Sequence, residues 1–295
     1  MQIHRVMLLL LMLGTAFWGV SFSFVKSSVL DNSPYLFLTY KFALAAITLI
    51  VLFCRRFAST RFKDIAIGVL TGLPLLFGSI FQTIGLQQTS VTNSAFITGL
   101  DVLLIPILKA LFFKQKVNNK IWFSCVVAMV GLYLIVAQHG LIFNSGDIWT
   151  ALCAVFFASY VMAVGYYSNR CDAIVTVCIA LVTCSVGSGI AAMFENHAVA
   201  FPVEPIFWQG VLFAGLLGTA YMYAIQSIAQ QYVSEEKIAL TYLCEPIFAA
   251  VVGALLLGET ITQTTILGGA LILSALLIAE FSAQTKGKKP ISKSC

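Results

Sequence analysis

Runs of about twenty mostly apolar residues follow one another along this whole chain, and that repetition restricts its fold more than any other feature. A helix needs ~20 such residues to cross the hydrocarbon core of a bilayer. Ten runs occur, at about 5–29, 34–54, 64–86, 92–112, 119–137, 147–167, 173–193, 206–229, 234–257 and 262–281. The connections between them are short and leave no room for a soluble domain. Of the 295 residues 60% are hydrophobic and 10% charged, where soluble domains carry ~25% charged residues to cover their surface. Strands of a membrane barrel alternate apolar and polar residues, and these runs do not alternate. The expected class is an all-α integral membrane protein with ten transmembrane helices. His4 and Arg5 precede the first run, but it continues through FWGVSFSFV without an A-x-A-like site. It therefore reads as a span and not as a cleaved leader.

Lysine and arginine positions set the orientation. With the N-terminus inside, fourteen of the seventeen lie inside or at inner span ends, among them Arg55, Arg56, Arg61, Lys63, Lys114, Lys116 and Arg170. The other three, Lys26, Lys41 and Lys109, lie within spans. The outward connections carry Asp31, Asp147, Glu195, Glu204 and Glu259 instead. Both termini are thus expected in the cytoplasm. The net charge of +5 is a topology signal; no contiguous basic face marks a nucleic-acid partner. The tail KGKKPISK suits anionic lipid. The eight cysteines form no CxxC and no Cys/His metal spacing, so neither a metal nor a cofactor is expected.

The chain also repeats. Displacing residues 70–132 by 144 positions puts Gln82 on Gln226, Gln87 on Gln231, Ser90 on Ser234, Ala95 on Ala239 and Asp101 on Glu245. The halves are 1–137 and 138–285, followed by a basic tail, 286–295. Each half has five spans. Five is odd, so the second half enters from the opposite side and the expected arrangement is two inverted five-helix repeats, a design used for alternating access.

Asp101 and Glu245 fall near the middle of spans four and nine. A carboxylate there costs on the order of 2.5–3.5 kcal/mol, so it should face protein or a water-filled cavity. Polar stripes at helical spacing accompany them: Ser94, Thr98 and Asp101; Lys237, Thr241 and Glu245; Gly78 and Gln82; Thr219, Tyr223 and Gln226. Spans three, four, eight and nine are expected to enclose a central cavity. Burial favours the neutral carboxyl, so either acid is a candidate for carrying a proton or meeting a cationic substrate group; a structural lock between helices is the alternative. Pro246, Pro106 and Pro74 are candidate helix breaks, because proline removes a backbone donor. Lys26 and Lys109 read as snorkelling anchors. Lys41, deeper in span two, is a candidate for an anionic group or for pairing with Asp101. Trp18, Tyr160, Tyr223 and Tyr242 are candidates for an aromatic wall, with Tyr40 and Tyr221 as further choices. Ala249-Gly253, Ala250-Ala254 and Ala270-Ser274 are spaced for close helix contact, within the chain or in a homodimer.

The runs YLCEPIFAAVVGALLLGETIT and ILGGALILSALLIAE resemble the end of an EamA domain of the drug/metabolite transporter superfamily. FWGVSFSFVK, YKFALAAITL and LQQTSVTNSAFITGL add to the likeness, which covers nearly the whole chain as two tandem halves. In the first half Val102 stands where the second has Pro246, and Gln115 where it has Glu259; Lys41 stands where the family often has arginine. The resemblance implies ten helices around a central cavity in a bacterial inner membrane. It also implies transport, often export, of small metabolites such as amino acids. The absence of a Walker-type loop points to a secondary transporter with a small-molecule substrate, and proton coupling is an expectation that the acids raise. A channel, a scramblase and a non-transporting membrane protein are the alternatives. His4, His139 and His197 are scattered, and without a catalytic constellation an enzyme is not expected.

Overall fold

A computed structural model of the chain describes residues 2–112, 114–136, 144–195, 201–257 and 261–281. Among these the regular structure is helical, joined by short turns. Nine segments are long and apolar enough to cross a membrane: Ile3–Val29, Pro34–Leu52, Phe62–Gln88, Asn93–Phe112, Asn119–Val136, Ser145–Tyr167, Ala173–Met193, Pro205–Ala229 and Gln263–Phe281. The remaining expected span, 234–257, is divided into two short helices. Glu259, His139, His197 and the tail lie outside the described residues.

The elements are α1 (Gln2–Val29), α2 (Pro34–Leu52), the single turn α3 (Cys54–Phe57), α4 (Phe62–Gln88), α5 (Val91–Thr98), α6 (Asp101–Phe112), α7 (Asn119–Val136), α8 (Ser145–Tyr167) and α9 (Ala173–Met193). There follow α10 (Pro205–Phe213), a π segment (Ala214–Tyr221), α11 (Met222–Ala229), α12 (Glu235–Tyr242), α13 (Glu245–Leu257) and α14 (Gln263–Phe281). Caps start several of them by supplying acceptors to first-turn N–H groups. Ser33 precedes Pro34 and accepts from Leu36 N at 3.1 Å. Asn144 accepts from Gly146 N while its own N–H donates to Asp147. Asp172 accepts from Ile174 N and Val175 N.

The displacement of 144 residues seen in the sequence also relates the element bounds. It carries α5 onto α12, and the first residues of α6 and α7 onto those of α13 and α14. Each α5–α6 and α12–α13 pair is interrupted at the corresponding place, Gly99-Leu100 and Leu243-Cys244.

The prolines behave differently from expectation. Pro74 and Pro106 lie inside α4 and α6, which run on through them. Pro246 is the second residue of α13, after the interruption. There its missing N–H is one that a first turn leaves unbonded anyway.

In packing, α4 lies between α8 and α9, α2 lies along α9, and α7 along α14. The first helix, α1, runs against α10, the π segment, α11, α12 and α13. Phe37, Phe42, Leu75, Leu132, Leu181 and Phe207 are fully buried in the shared core. Leu9, Leu52, Phe62, Leu111, Val126, Met193 and Leu277 face outward. Exposed apolar residues on this scale suit hydrocarbon and not water.

Candidate functional site

One cavity of about 110 Å³ lies within the bundle, room for several waters at ~10–15 Å³ each on the same measure. Trp18, Lys41, Gln82, Thr98, Asp101, Tyr160, Tyr223, Gln226, Tyr242 and Glu245, ten of the residues singled out in the sequence, line it, whereas Tyr40, Tyr221, Ser94 and Thr241 are not among its lining residues. The ten come from α1, α2, α4, α5, α6, α8, α11, α12 and α13, so both halves contribute.

The two interruptions meet here. Gly99 approaches Leu243 so closely that a Cβ on it would lie 3.0 Å from the Leu243 side chain. Asp101 and Glu245 are the first residues of α6 and α13. The helix dipole favours negative charge there, although in α6 the N–H groups of Val102, Leu103 and Leu104 already donate to Gly99 O and Leu100 O. Neither carboxyl has an ion-pair partner among the described residues. Lys41 does not pair with Asp101; its ammonium lies 4.7 Å from the Phe42 ring centre and 5.8 Å from that of Phe37, within cation–π range. The cavity thus holds two carboxyl groups and one ammonium with no internal ion pair between them.

The aromatic residues form a linked wall. Trp18 meets Tyr242 edge-on at 5.0 Å and Tyr223 at 6.1 Å, and Tyr223 meets Tyr160 at 5.6 Å. The indole N–H of Trp18 donates to Gly218 O in the π segment at 2.6 Å. The Tyr242 hydroxyl has no protein partner among the described residues.

The expected stripes hold in part. Thr219, Tyr223 and Gln226 all line the cavity, as do Thr98 and Asp101. Lys237 does not: its ammonium reaches Glu280 at 2.9 Å, and His4 meets the same carboxylate at 3.2 Å. The interruption at 243–244 ends the helical register that would have aligned Lys237 with Glu245. Lys109 turns inward instead of snorkelling, 2.9 Å from Glu235 and 2.7 Å from Glu236. Lys26 donates to Thr89 O at 2.7 Å. Gly78 packs against Phe157. Ser21, Ser79, Thr83 and Phe157 line the cavity without having been singled out. Ser79 and Thr83 share the helical face of Gln82, and Ser21 lies three residues after Trp18, so spacing alone held the signal. Ala249 packs against Gly19 of α1, while Ala270 and Ser274 are exposed.

A sequence model of the EamA-like transporter family matches the chain twice, over residues 5–137 and 144–280. An uncharacterized transporter of Archaeoglobus fulgidus is 28% identical over 261 residues, 88% of this chain and 81% of its own length. The uncharacterized transporter YyaM of Bacillus subtilis is 22% identical, with 94% of each chain covered. A chloroplastic WAT1-related protein of Arabidopsis thaliana is 22% identical over 90% of this chain and 67% of its own. A crystal structure 16% identical in sequence superposes with a TM-score of 0.77, covering 94% of this chain and 96% of that one; this is a likeness of fold alone.

Proposed function

The chain belongs to the EamA-like transporter family of the drug/metabolite transporter superfamily and is an integral multi-pass membrane protein, and from that premise we propose that it is a secondary transporter of small metabolites such as amino acids, working by alternating access in the direction of export. The observation that carries this reading is the pairing of two interrupted helices, each opening its second half on a carboxyl group, around one cavity. A site placed where helices are broken changes its contacts when those helices tilt.

In this reading the two pieces 235–242 and 245–257 are together the tenth span. The halves 1–137 and 138–285 are inverted repeats, both termini are cytoplasmic, and the membrane is a bacterial inner membrane. The shared displacement of 144 residues in sequence and element bounds supports the repeat. The basic residues Arg55, Arg56, Arg61, Lys63 and Arg170 on one set of connections support the orientation. Asp101 and Glu245 meet the substrate's cationic group or exchange protons with it, Lys41 meets an anionic group, and the aromatic wall holds the apolar body. No resident cofactor or metal takes part.

The test is flux into proteoliposomes. A panel of amino acids and small metabolites is offered with and without a proton gradient to wild type, E245Q and D101N. The expected result is saturable uptake of a panel member, cut about tenfold or more in each variant, which corresponds to ~1.4 kcal/mol or more in the barrier. Full uptake in both variants would overturn the roles of the two acids while leaving transport standing. No flux of any panel member from well-folded protein, beside a working control transporter, would count against the transport reading.

A further inference from the structure

A second, smaller cavity lies beside the first. It is about 20 Å³ and is lined by Thr71, Val164, Ser168, Cys171, Thr176 and Ser227, among others. One or two waters fit such a volume at ~10–15 Å³ each. It lies toward the end of the bundle where α8 gives way to α9. Arg56 and Asp172 pair there at 3.2 Å, and Arg61 and Asp64 do so at 3.2 Å. The large cavity extends toward the opposite end, where Val25 of α1 and Leu86 of α4 line it near the ends of their helices.

Among the described residues one side chain lines both cavities, that of Tyr160. It is 2% exposed, and its ring stands at 90° to that of Tyr223. Tyr223 in turn touches Trp18. A chain of edge-to-face rings therefore runs from α1 through α11 to α8.

We propose that Tyr160 is a septum in the substrate path, and that the small cavity behind it is the vestibule through which cargo passes between the large cavity and the Arg56–Arg170 end of the molecule. The proposal rests on the transport reading above. The two chambers differ in chemistry. The large one carries Asp101, Glu245 and Lys41, whereas the small one is walled mainly by apolar groups of Val164, Ala173, Val177 and Ala180, with a few hydroxyls and a thiol and, among the described residues, no carboxylate, ammonium or guanidinium. Thr71 and Ser168 already donate their hydroxyls to helix carbonyls, Ile67 O and Gly165 O, both at 2.9 Å. The buried Thr176 hydroxyl has no protein partner among the described residues. A buried polar group without a partner is costly inside a protein, and a passing polar solute or its water would supply one. With no charged group of its own, the vestibule offers a passing solute hydroxyl partners and apolar wall but nothing that would hold it by charge. Swinging the Tyr160 ring away from Tyr223 joins the chambers, and a cargo wedged among Trp18, Tyr223 and Tyr242 would drive that motion.

The experiment needs no knowledge of the cargo. The probe is a membrane-impermeant cationic methanethiosulfonate, applied to intact cells or to inverted membrane vesicles and read by peptide-resolved mass spectrometry, so that the native cysteines can stay. Q82C reports on the large cavity and T176C on the small one. Native Cys171 marks the far rim; burial and the nearby Asp64 carboxylate hold its thiol above the ordinary range, so labelling is run at alkaline pH. From the face that labels Q82C, T176C is expected to resist. Y160A in the T176C chain should raise its labelling from that face about tenfold or more, whereas Y160F, which keeps the ring, should not. Y160L is the substitute if Y160A does not fold by thermal unfolding. T176C that labels as fast as Q82C with Tyr160 intact would overturn the septum. So would T176C that stays protected in both Y160A and Y160L. Tyr160-dependent labelling in a chain that moves no solute would instead overturn the transport reading and leave the septum standing.

Discussion

Lys109 shows what a single ion can hold inside a membrane protein. Its ammonium is 15% exposed and faces Glu235 and Glu236, which are 8% and 6% exposed. Removing one member of a buried ion cluster leaves the others uncompensated, typically at ~3–5 kcal/mol. K109A is therefore expected to lower the thermal unfolding midpoint in detergent strongly. K109A/E235Q/E236Q should recover most of the loss, because no net charge is then left buried. A triple variant as unstable as K109A would show that packing of the lysine stem, not its charge, holds α6 to α12. Glu235 lies 126 residues away, with Glu236 beside it, and no sequence spacing discloses such partners; position alone suggested a snorkelling anchor. Asp101 and Glu245 were legible for the opposite reason. A carboxyl group in the middle of an apolar run is unexpected wherever its neighbours fold, and the internal displacement makes the two counterparts from the order of residues alone.

Two helices in this protein meet backbone to backbone where both lack side chains. Gly131 of α7 and Gly268 of α14 face each other, so that a Cβ on Gly268 would lie 2.5 Å from Gly131 O and one on Gly131 2.6 Å from Gly268 O. Backbone cannot yield as a flexible side chain does, so the helices must separate. G268A is expected to cost on the order of 1–3 kcal/mol, the usual penalty of overpacking, read as a lower unfolding midpoint. An unchanged midpoint would mean that α14 can slide on α7 without loss. The helices were readable, because ~20 apolar residues leave little choice, but their contact sites mostly were not: of the small residues chosen for their spacing Ala249 meets Gly19, whereas Ala270 and Ser274 are exposed, and Gly131 and Gly268 were not chosen. The interruptions were only half readable. Pro246 marked the right neighbourhood, yet the break precedes it, and Pro74 and Pro106 break nothing. Proline removes a donor wherever it sits, but whether a helix stops depends on what replaces that bond in three dimensions. The π segment had no proline to announce it. One of its carbonyls is bound by Trp18, 200 residues earlier.

At the scale of the whole molecule the two family matches, 5–137 and 144–280, do not correspond to two separate cores. Helix α4 packs between α8 and α9, α2 lies on α9, α7 on α14, and α1 runs along several elements of the second half. The fully buried side chains follow suit: Phe37, Leu75 and Leu132 share one core with Leu181 and Phe207, joined by Ile272. A sequence can match one family model twice without disclosing that the two matched stretches interleave, because the order of residues does not record which helix faces meet. Interleaving makes a prediction that separate five-helix domains would not. The chain can be cut between Gly140 and Leu141, at the junction of the two matches. Expressed alone, each piece exposes the polar groups that line the cavity together with glycines that need a facing helix, and is expected to aggregate or be degraded. Co-expressed, the pieces should co-purify, since the cut removes a covalent tether and leaves the helix contacts in place. Joining two partners mainly raises their effective concentration, so the cut complex should unfold at a lower and concentration-dependent midpoint. A single piece that purifies as a monodisperse monomer with its own cooperative unfolding would show that each half carries a sufficient core. The cavity would then be a seam between two domains, and no longer the centre of one.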